Sequence, residues 1–227
     1  MSYKKSIISG FKKSIPVILG YIPIGISYGI LALQTDLSPY LIVGMSVFVF
    51  AGSSQLIAVN MLTAQAAVIP IVMTTFLVNL RHILMSASLS LHFKKTPQKL
   101  LPVLGFLITD ESFALGNTLL KEEKENKGLF FLSLGVSAYL GWVLSSWAGV
   151  IIGRYLLNFK IPVIDFVLPA MFIILLIMQI NERMDVVVSI LAAVLSIVFY
   201  FYLPGNWNII AATLTAAVAG VIIENAV

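Results

Sequence analysis

The sequence predicts an all-α fold, a polytopic transmembrane helical bundle of about seven to eight membrane segments, some of them broken or re-entrant. Three observations carry this. Of 227 residues, 59% are hydrophobic and only 11% charged, with a mean hydropathy of +1.02, whereas soluble domains carry about 25% charged residues. The charges cluster between apolar runs long enough to cross a bilayer as helices, at about 20 residues each. Those runs are continuous, which excludes a β-barrel, and helices satisfy their own backbone groups in lipid. The absence of cysteine excludes disulfides and thiolate metal sites. The net charge of +4 comes largely from flanking lysines, so it reports membrane orientation and not nucleic-acid binding.

Residues 1–14 place Lys4, Lys5, Lys12 and Lys13 among apolar residues. Pro16, Gly20, Pro23 and Gly25 interrupt the apolar run that follows, and no A-x-A site appears, so the stretch reads as an uncleaved cytoplasmic basic leader. Residues 15–227 then form one transmembrane domain. In the first span (15–33), Pro23-Ile24-Gly25 and the Gly25/Gly29 pair allow a backbone break and a close helix approach. Residues 34–39 carry Asp36 and no Lys or Arg, and are expected outside. Span two (40–62) contains Phe50-Ala51-Gly52-Ser53-Ser54-Gln55, a small and polar run that favours either an unwound backbone or a tight helix crossing. Span three is residues 68–90, and span four (101–120) carries Thr109, Asp110, Glu111, Ser112 and Asn117. After a charged loop (121–128), span five (129–153) sets Ser133, Ser137, Gly141, Ser145, Gly149 and Gly153 every fourth residue, a ridge for close helix packing. Spans six (163–180), seven (186–203) and eight (207–223) complete the chain. If all eight cross, Lys94, Lys95 and Lys99 fall outside, against the positive-inside tendency; a re-entrant second or third segment returns them inside. Both arrangements stay open at this stage.

Span three is the hardest stretch to read as apolar filler. At 100° per residue, Thr75, Asn79, His82 and Ser86 form one stripe, and Thr74, Arg81 and Ser88 another. Leu77, Leu80, Leu84 and Leu91 cover the rest. An ionisable residue at the middle of a membrane helix costs about 3 kcal/mol on insertion scales. Arg81 therefore snorkels to headgroups or faces a polar interior. Asp110 and Glu111 repeat the problem in span four, and Arg81 with Asp110 reads either as part of a transport site or as a lock between two helices.

The order of three blocks resembles the AzlC/YgaZ family of branched-chain amino acid permeases. They are Phe50-Ala51-Gly52-Ser53-Ser54-Gln55, Val78-Asn79-Leu80-Arg81-His82 and Thr109-Asp110-Glu111-Ser112-Phe113. Asp165-Phe166 with Pro169-Ala170-Met171-Phe172 resembles a fourth block, and Pro23, Gly25 and Trp142 fit as well. The resemblance implies the large subunit of an exporter of branched-chain amino acids in the cytoplasmic membrane, paired with a small AzlD/YgaH-type subunit of about four helices. Physically, an amino acid is a zwitterion with a small apolar side chain. Arg81, or backbone freed around Gly52, Ser53, Ser54 and Gln55, can receive its carboxylate. Asp110 or Glu111 can receive its ammonium or a coupling proton, and His82 titrates in the useful range. Asn79 belongs to the same wall.

Other functions are less well served. No G-x-x-x-x-G-K-[ST] or H-E-x-x-H occurs, so neither ATP use nor a zincin site is expected, and no cofactor is implied. Asp110 and Glu111 are adjacent, so their side chains point about 100° apart and form a poor catalytic dyad; no enzyme is expected. The alternative is a non-transporting scaffold subunit, for which the small-residue ridge alone suffices.

Overall fold

A computed structural model describes residues 2–123, 126–156, 169–170, 173, 176–177, 180, 183–203 and 207–226. Among them every regular element is helical. Most of the predicted sixth span, including Asp165, Phe166, Met171 and Phe172, lies outside the described residues, as does the 204–206 link.

Two long parallel helices form the spine. Helix α1 (Ser2–Ala32) runs unbroken through Pro16 and Pro23, so the basic leader and the first span are one rod. Of the two places where the sequence allowed a backbone break, Pro23–Gly25 stays helical and the break falls just before Gly52. Gly25 and Gly29 serve instead to bring α1 against the spine's second helix, residues Lys127–Leu156 (named α8 below). A Cβ on Gly29 would stand 2.4 Å from the Ser146 carbonyl oxygen, and one on Gly149 2.2 Å from that of Ile26. Gly10 meets Phe130, Gly141 meets Ile18 and Gly153 meets Ile30 and Leu33, while the Ser133 hydroxyl donates to the Ile7 carbonyl at 2.7 Å. The small-residue ridge is thus buried on α1 along its length. Backbones this close gain dispersion contacts that Leu–Leu packing cannot supply in lipid.

Between the two rods the chain makes a hairpin, a crossing and a second hairpin. Helix α2 (Pro39–Phe48) enters from the end opposite the lysines, capped by Ser38 with proline at its start. The backbone leaves helical geometry at Val49, Phe50 and Ala51, and α3 (Gly52–Thr63) follows. A straight helix would place Ser46 and Gln55 about 13 Å apart at 1.5 Å per residue. Instead the Gln55 amide donates to Ser46 Oγ at 3.0 Å, so the chain reverses there. Helices α4 (Val68–Asn79) and α5 (Arg81–Ser90) form one 23-residue stretch, tightened at Leu80, whose N–H reaches both Phe76 and Leu77 carbonyls.

A short 3₁₀ turn (Gln98–Leu100) leads into α6 (Leu101–Phe106) and α7 (Asp110–Glu122). The predicted straight fourth span is therefore a second hairpin. Phe106 lies 5.6 Å from Tyr139 and Gly116 sits against Phe131, while Ser6 donates to Glu123 at 3.2 Å, so α7 descends as α6 rises. The cause is local: Thr109 is extended and forms a capping box with Ser112, which starts a new helix in the middle of the span. Helix α8 then rises along α1. Beyond the undescribed stretch, α9 (Arg183–Tyr202) and α10 (Trp207–Ala226) pack on each other, and α10 touches α4.

A crossing helix followed by a hairpin thus occurs twice, in opposite senses: α1 with α2–α3, then α4–α5 with α6–α7. Inverted pairs of this kind place their breaks at a shared mid-depth. The geometry also settles where the basic loops lie. Ser6 Oγ accepts from the Asn126 N–H at 3.3 Å, and Thr96 packs on Gly128, so the Lys94–Lys99 cluster shares an end with the N-terminal lysines. At this end partial burial, then the ammonium groups of Lys127 and Lys121, lower the His92 pKa.

The first hairpin is fixed by a buried polar network. Trp142 Nε1–H donates to Gln55 Oε1 at 2.8 Å, Gln55 donates to Ser46, and Ser46 donates to Ser146 at 2.9 Å. Gln55→Ala strands the Trp142 donor, at about 1–3 kcal/mol for the unsatisfied group, and leaves Ser46 bonded to Ser146 alone. The expected result is a lower melting temperature in detergent, with Leu62→Ala as the near-neutral control. A melting point equal to wild type would show that the network holds nothing.

Candidate functional site

Three helix N-termini converge where the hairpins meet. The start of α3 brings Gly52 and Ser53, α5 brings Arg81 and His82, and α7 brings Asp110 and Glu111. With Thr109, Tyr21 and Ile24 of α1, Phe50 and Ala51 of the first break and Trp142 of α8, they line a cavity of about 20 Å³. That is room for one water molecule and not for an amino acid. The α7 start is capped by Thr109 and α5 continues α4 through Leu80, so of the three only α3 is a separate helix start without a side-chain cap.

Gly52 and the break before it permit the arrangement. A Cβ at Gly52 would stand 2.7 Å from the Trp142 ring, so only glycine lets α3 begin against that indole. No side chain caps this helix start. Its first N–H groups therefore face the cavity side without a protein side-chain acceptor.

Arg81 forms the ion pair of the site, with Nη2 at 2.9 Å from Asp110 Oδ2; the two side chains are 25% and 21% exposed. The same nitrogen donates to Ser53 Oγ, tying α5 to α3. Arg81 Nε is buried and has no hydrogen-bond partner. Such a donor ordinarily finds an acceptor when buried, and here the cavity is what it borders.

Glu111 turns the other way from Asp110, as their adjacency on a helix requires. Its Oε2 accepts from the Tyr21 hydroxyl at 2.7 Å, and that hydroxyl lies 2.7 Å from Thr109 Oγ1. Thr109 Oγ1 also accepts from the Ser112 N–H at 3.2 Å. Among the described residues no lysine, arginine or histidine forms a salt bridge with Glu111. His82 Nδ1 contacts the Asn79 carbonyl at 3.2 Å.

Of the nine residues singled out from sequence, Gly52, Ser53, Arg81, His82, Asp110 and Glu111 line the cavity. Ser54, Gln55 and Asn79 do not. Ser54 donates to Asn79 Oδ1 at 2.7 Å, joining α3 to α4, and both amide atoms of Gln55 serve the hairpin network. Their polarity holds the helices that carry the site. Sequence reasoning missed Tyr21, whose signal was a pair of phenols, Tyr21 and Tyr28, two helical turns apart in an apolar helix. Tyr21 is buried, and its ring meets Phe50 and Trp142 edge-on at 6.2 and 5.4 Å. Trp142 stood out in the sequence only as part of the resemblance; its ring walls the cavity. Among the described residues no group of His, Asp and Glu could hold a metal ion.

The arrangement offers free cationic and N–H donors on one side, a carboxylate without a cation on the other, and aromatic walls between. Comparison with known proteins agrees on the class. The AzlC protein family matches residues 16–156, which contain every cavity residue. The branched-chain amino acid transport protein AzlC of Bacillus subtilis is 30% identical over 94% of this chain and 83% of its own length. The inner membrane protein YgaZ of Escherichia coli is 28% identical over 86% of this chain and 82% of its own. A membrane protein of Helicobacter pylori is 29% identical over 88% and 90%. No solved structure matches. The ordered motifs, the helical architecture and these relatives make this chain a membrane protein of the transport-related AzlC family.

Proposed function

We propose that this chain is the large subunit of a secondary transporter that exports branched-chain amino acids across the cytoplasmic membrane. One observation carries the reading: Arg81, whose Nε–H is buried without a partner, the α3 start, which no side chain caps, and Glu111 line one cavity. That is the charge complement of a zwitterion. The carboxylate fits the Arg81 and α3 side, and the ammonium fits Glu111. Ile24, Phe50 and Trp142 offer apolar surface to an aliphatic side chain.

The basic end, with the lysines of 4–13 and 94–99, faces the cytoplasm under the positive-inside rule. On this reading α2–α3 and α6–α7 are re-entrant hairpins entering from the two sides. Backbone breaks buried in protein and lining a cavity are tolerated at membrane depth. A cavity that admits one water requires its walls to move before substrate enters. Among the described residues no residue of the apolar span of α9 is fully buried, and few of Val68–Ser90 are. These faces suit lipid and a small AzlD-type partner subunit.

The test is uptake of labelled valine into everted membrane vesicles containing the full chain and the small subunit. One methylene changes binding by about 1–3 kcal/mol, so leucine and isoleucine should compete within about tenfold to a hundredfold of valine. Lysine and glutamate should not compete. Vesicles that show no movement of any branched-chain amino acid, with the protein present by blot, would favour a scaffold role instead.

A further inference from the structure

The cavity carries an unbalanced charge. Asp110 is paired with Arg81 at 2.9 Å. Glu111, one residue on, meets only the Tyr21 hydroxyl at 2.7 Å. One guanidinium therefore faces two carboxylates around a space of about 20 Å³. An excess carboxylate at membrane depth is costly, and a cation relieves it. Two cations are available in this setting: the ammonium of a bound amino acid, and a proton. They exclude one another, because a protonated carboxyl has no charge left to pair with an ammonium.

On the transport reading given above, we infer that Glu111 is an exchange site, occupied in turn by a proton and by the substrate ammonium. Each amino acid bound therefore displaces one proton. When the substrate enters, the Glu111 O–H bond breaks and its electron pair stays on the carboxylate. The proton leaves to water on the side the cavity then faces, while the ammonium keeps its three hydrogens. On the opposite side the order reverses. Proton and ammonium each neutralise Glu111 in turn, while the substrate carboxylate, held on the Arg81 and α3 side, leaves the loaded cavity one charge more negative than the empty, protonated one. The free cavity with an ionised Glu111 is the disfavoured form, which prevents return without cargo.

Tyr21 suits both states. With Glu111 ionised, Tyr21 donates to it and accepts from the Thr109 hydroxyl at 2.7 Å. With Glu111 protonated, the carboxyl donates to Tyr21 and Tyr21 donates to Thr109. Tyr21 is thus a positioning residue that reverses a two-bond chain without moving. The other groups facing Glu111 are Asp110 on its own helix and Arg81 and His82 on α5. The α3 and α8 walls contribute Gly52, Ser53 and Trp142, none of which titrates in this range.

The experiment uses everted vesicles with the membrane potential clamped at zero, an acid lumen and a lumenal pH dye. One-for-one exchange should accumulate valine up to about tenfold per unit of pH difference. It should also remove one lumenal proton for each valine that enters. Glu111→Gln should lose gradient-driven accumulation while the protein stays inserted. Tyr21→Phe should keep proton coupling but shift the pH at which valine and proton compete equally. The inference is overturned if wild type moves valine with no proton, which also decides the matter should Glu111→Gln fail to insert. It is equally overturned if coupling survives Glu111→Gln and vanishes in His82→Asn. A wild type that moves no valine, leucine or isoleucine sinks the transport reading itself and is a separate result.

Discussion

Gly149→Leu should remove most of the folded protein from the membrane. A Cβ there would stand 2.2 Å from the Ile26 carbonyl oxygen and 2.8 Å from the Ile26 Cα. Both obstacles are backbone, so no rotamer relieves the clash and α1 must move away from α8. Separation empties the interface that holds both hairpins in place. The expected destabilisation exceeds about 3 kcal/mol, beyond the usual overpacking range, in proteins whose whole stability is about 5–15 kcal/mol. Gly141→Leu should do less, because its nearest neighbours are Ile18 side-chain atoms at 3.1 and 3.2 Å that can rotate. Leu144 is 58% exposed, so Leu144→Ala should stay within about 0.5 kcal/mol of wild type. Abundance by blot and melting in detergent rank the three. Wild-type abundance for Gly149→Leu would refute this account of the spine.

Arg81→Ala and Asp110→Asn should each stop amino acid movement while leaving the protein inserted. Truncating one member of a hydrogen-bonded charge pair costs about 2–5 kcal/mol when the pair is buried. Here the partners are 25% and 21% exposed, which places the structural cost near the lower end. The loss of function should be larger, at least about a hundredfold for Arg81→Ala, or about 2.8 kcal/mol. That variant removes the unpartnered Nε–H as well as the ion pair. If the pair is only a lock between α5 and α7, both variants should instead disappear from the membrane. The double variant Arg81→Asp with Asp110→Arg should then recover abundance. Blot and flux together separate the two outcomes.

The transport reading and the exchange inference make different demands on one cavity. If Arg81 receives the substrate carboxylate, its loss should affect every substrate equally, with or without a pH gradient. If Glu111 carries the exchange, its loss should change the response to the gradient most. The division follows from one turn of helix: adjacent carboxylates diverge by about 100°, so one meets α5 and the other meets α1.

The sequence by itself determined that this is a helical membrane protein, because continuous apolar runs with few charges leave no other way to satisfy the backbone in lipid. It also marked the site. Gly52, Ser53, Arg81, His82, Asp110 and Glu111 stand out because polar and ionisable groups are costly in such segments and are retained where they face an interior. The ridge from Ser133 to Gly153 was legible as a close-packing surface, though not which helix it meets. Only the tertiary structure decided that α1 is that partner, and that α1 passes unbroken through Pro23. It also decided that the second and fourth segments turn back. Reversal depends on contacts between residues distant in sequence, such as Trp142 with Gln55 and Glu123 with Ser6, and no local pattern contains them. For the same reason Tyr21 was invisible as a site residue. Its spacing from Tyr28 marks only a shared buried face of α1, and its meaning comes from Thr109 and Glu111, which the fold brings to it from 88 and 90 residues away.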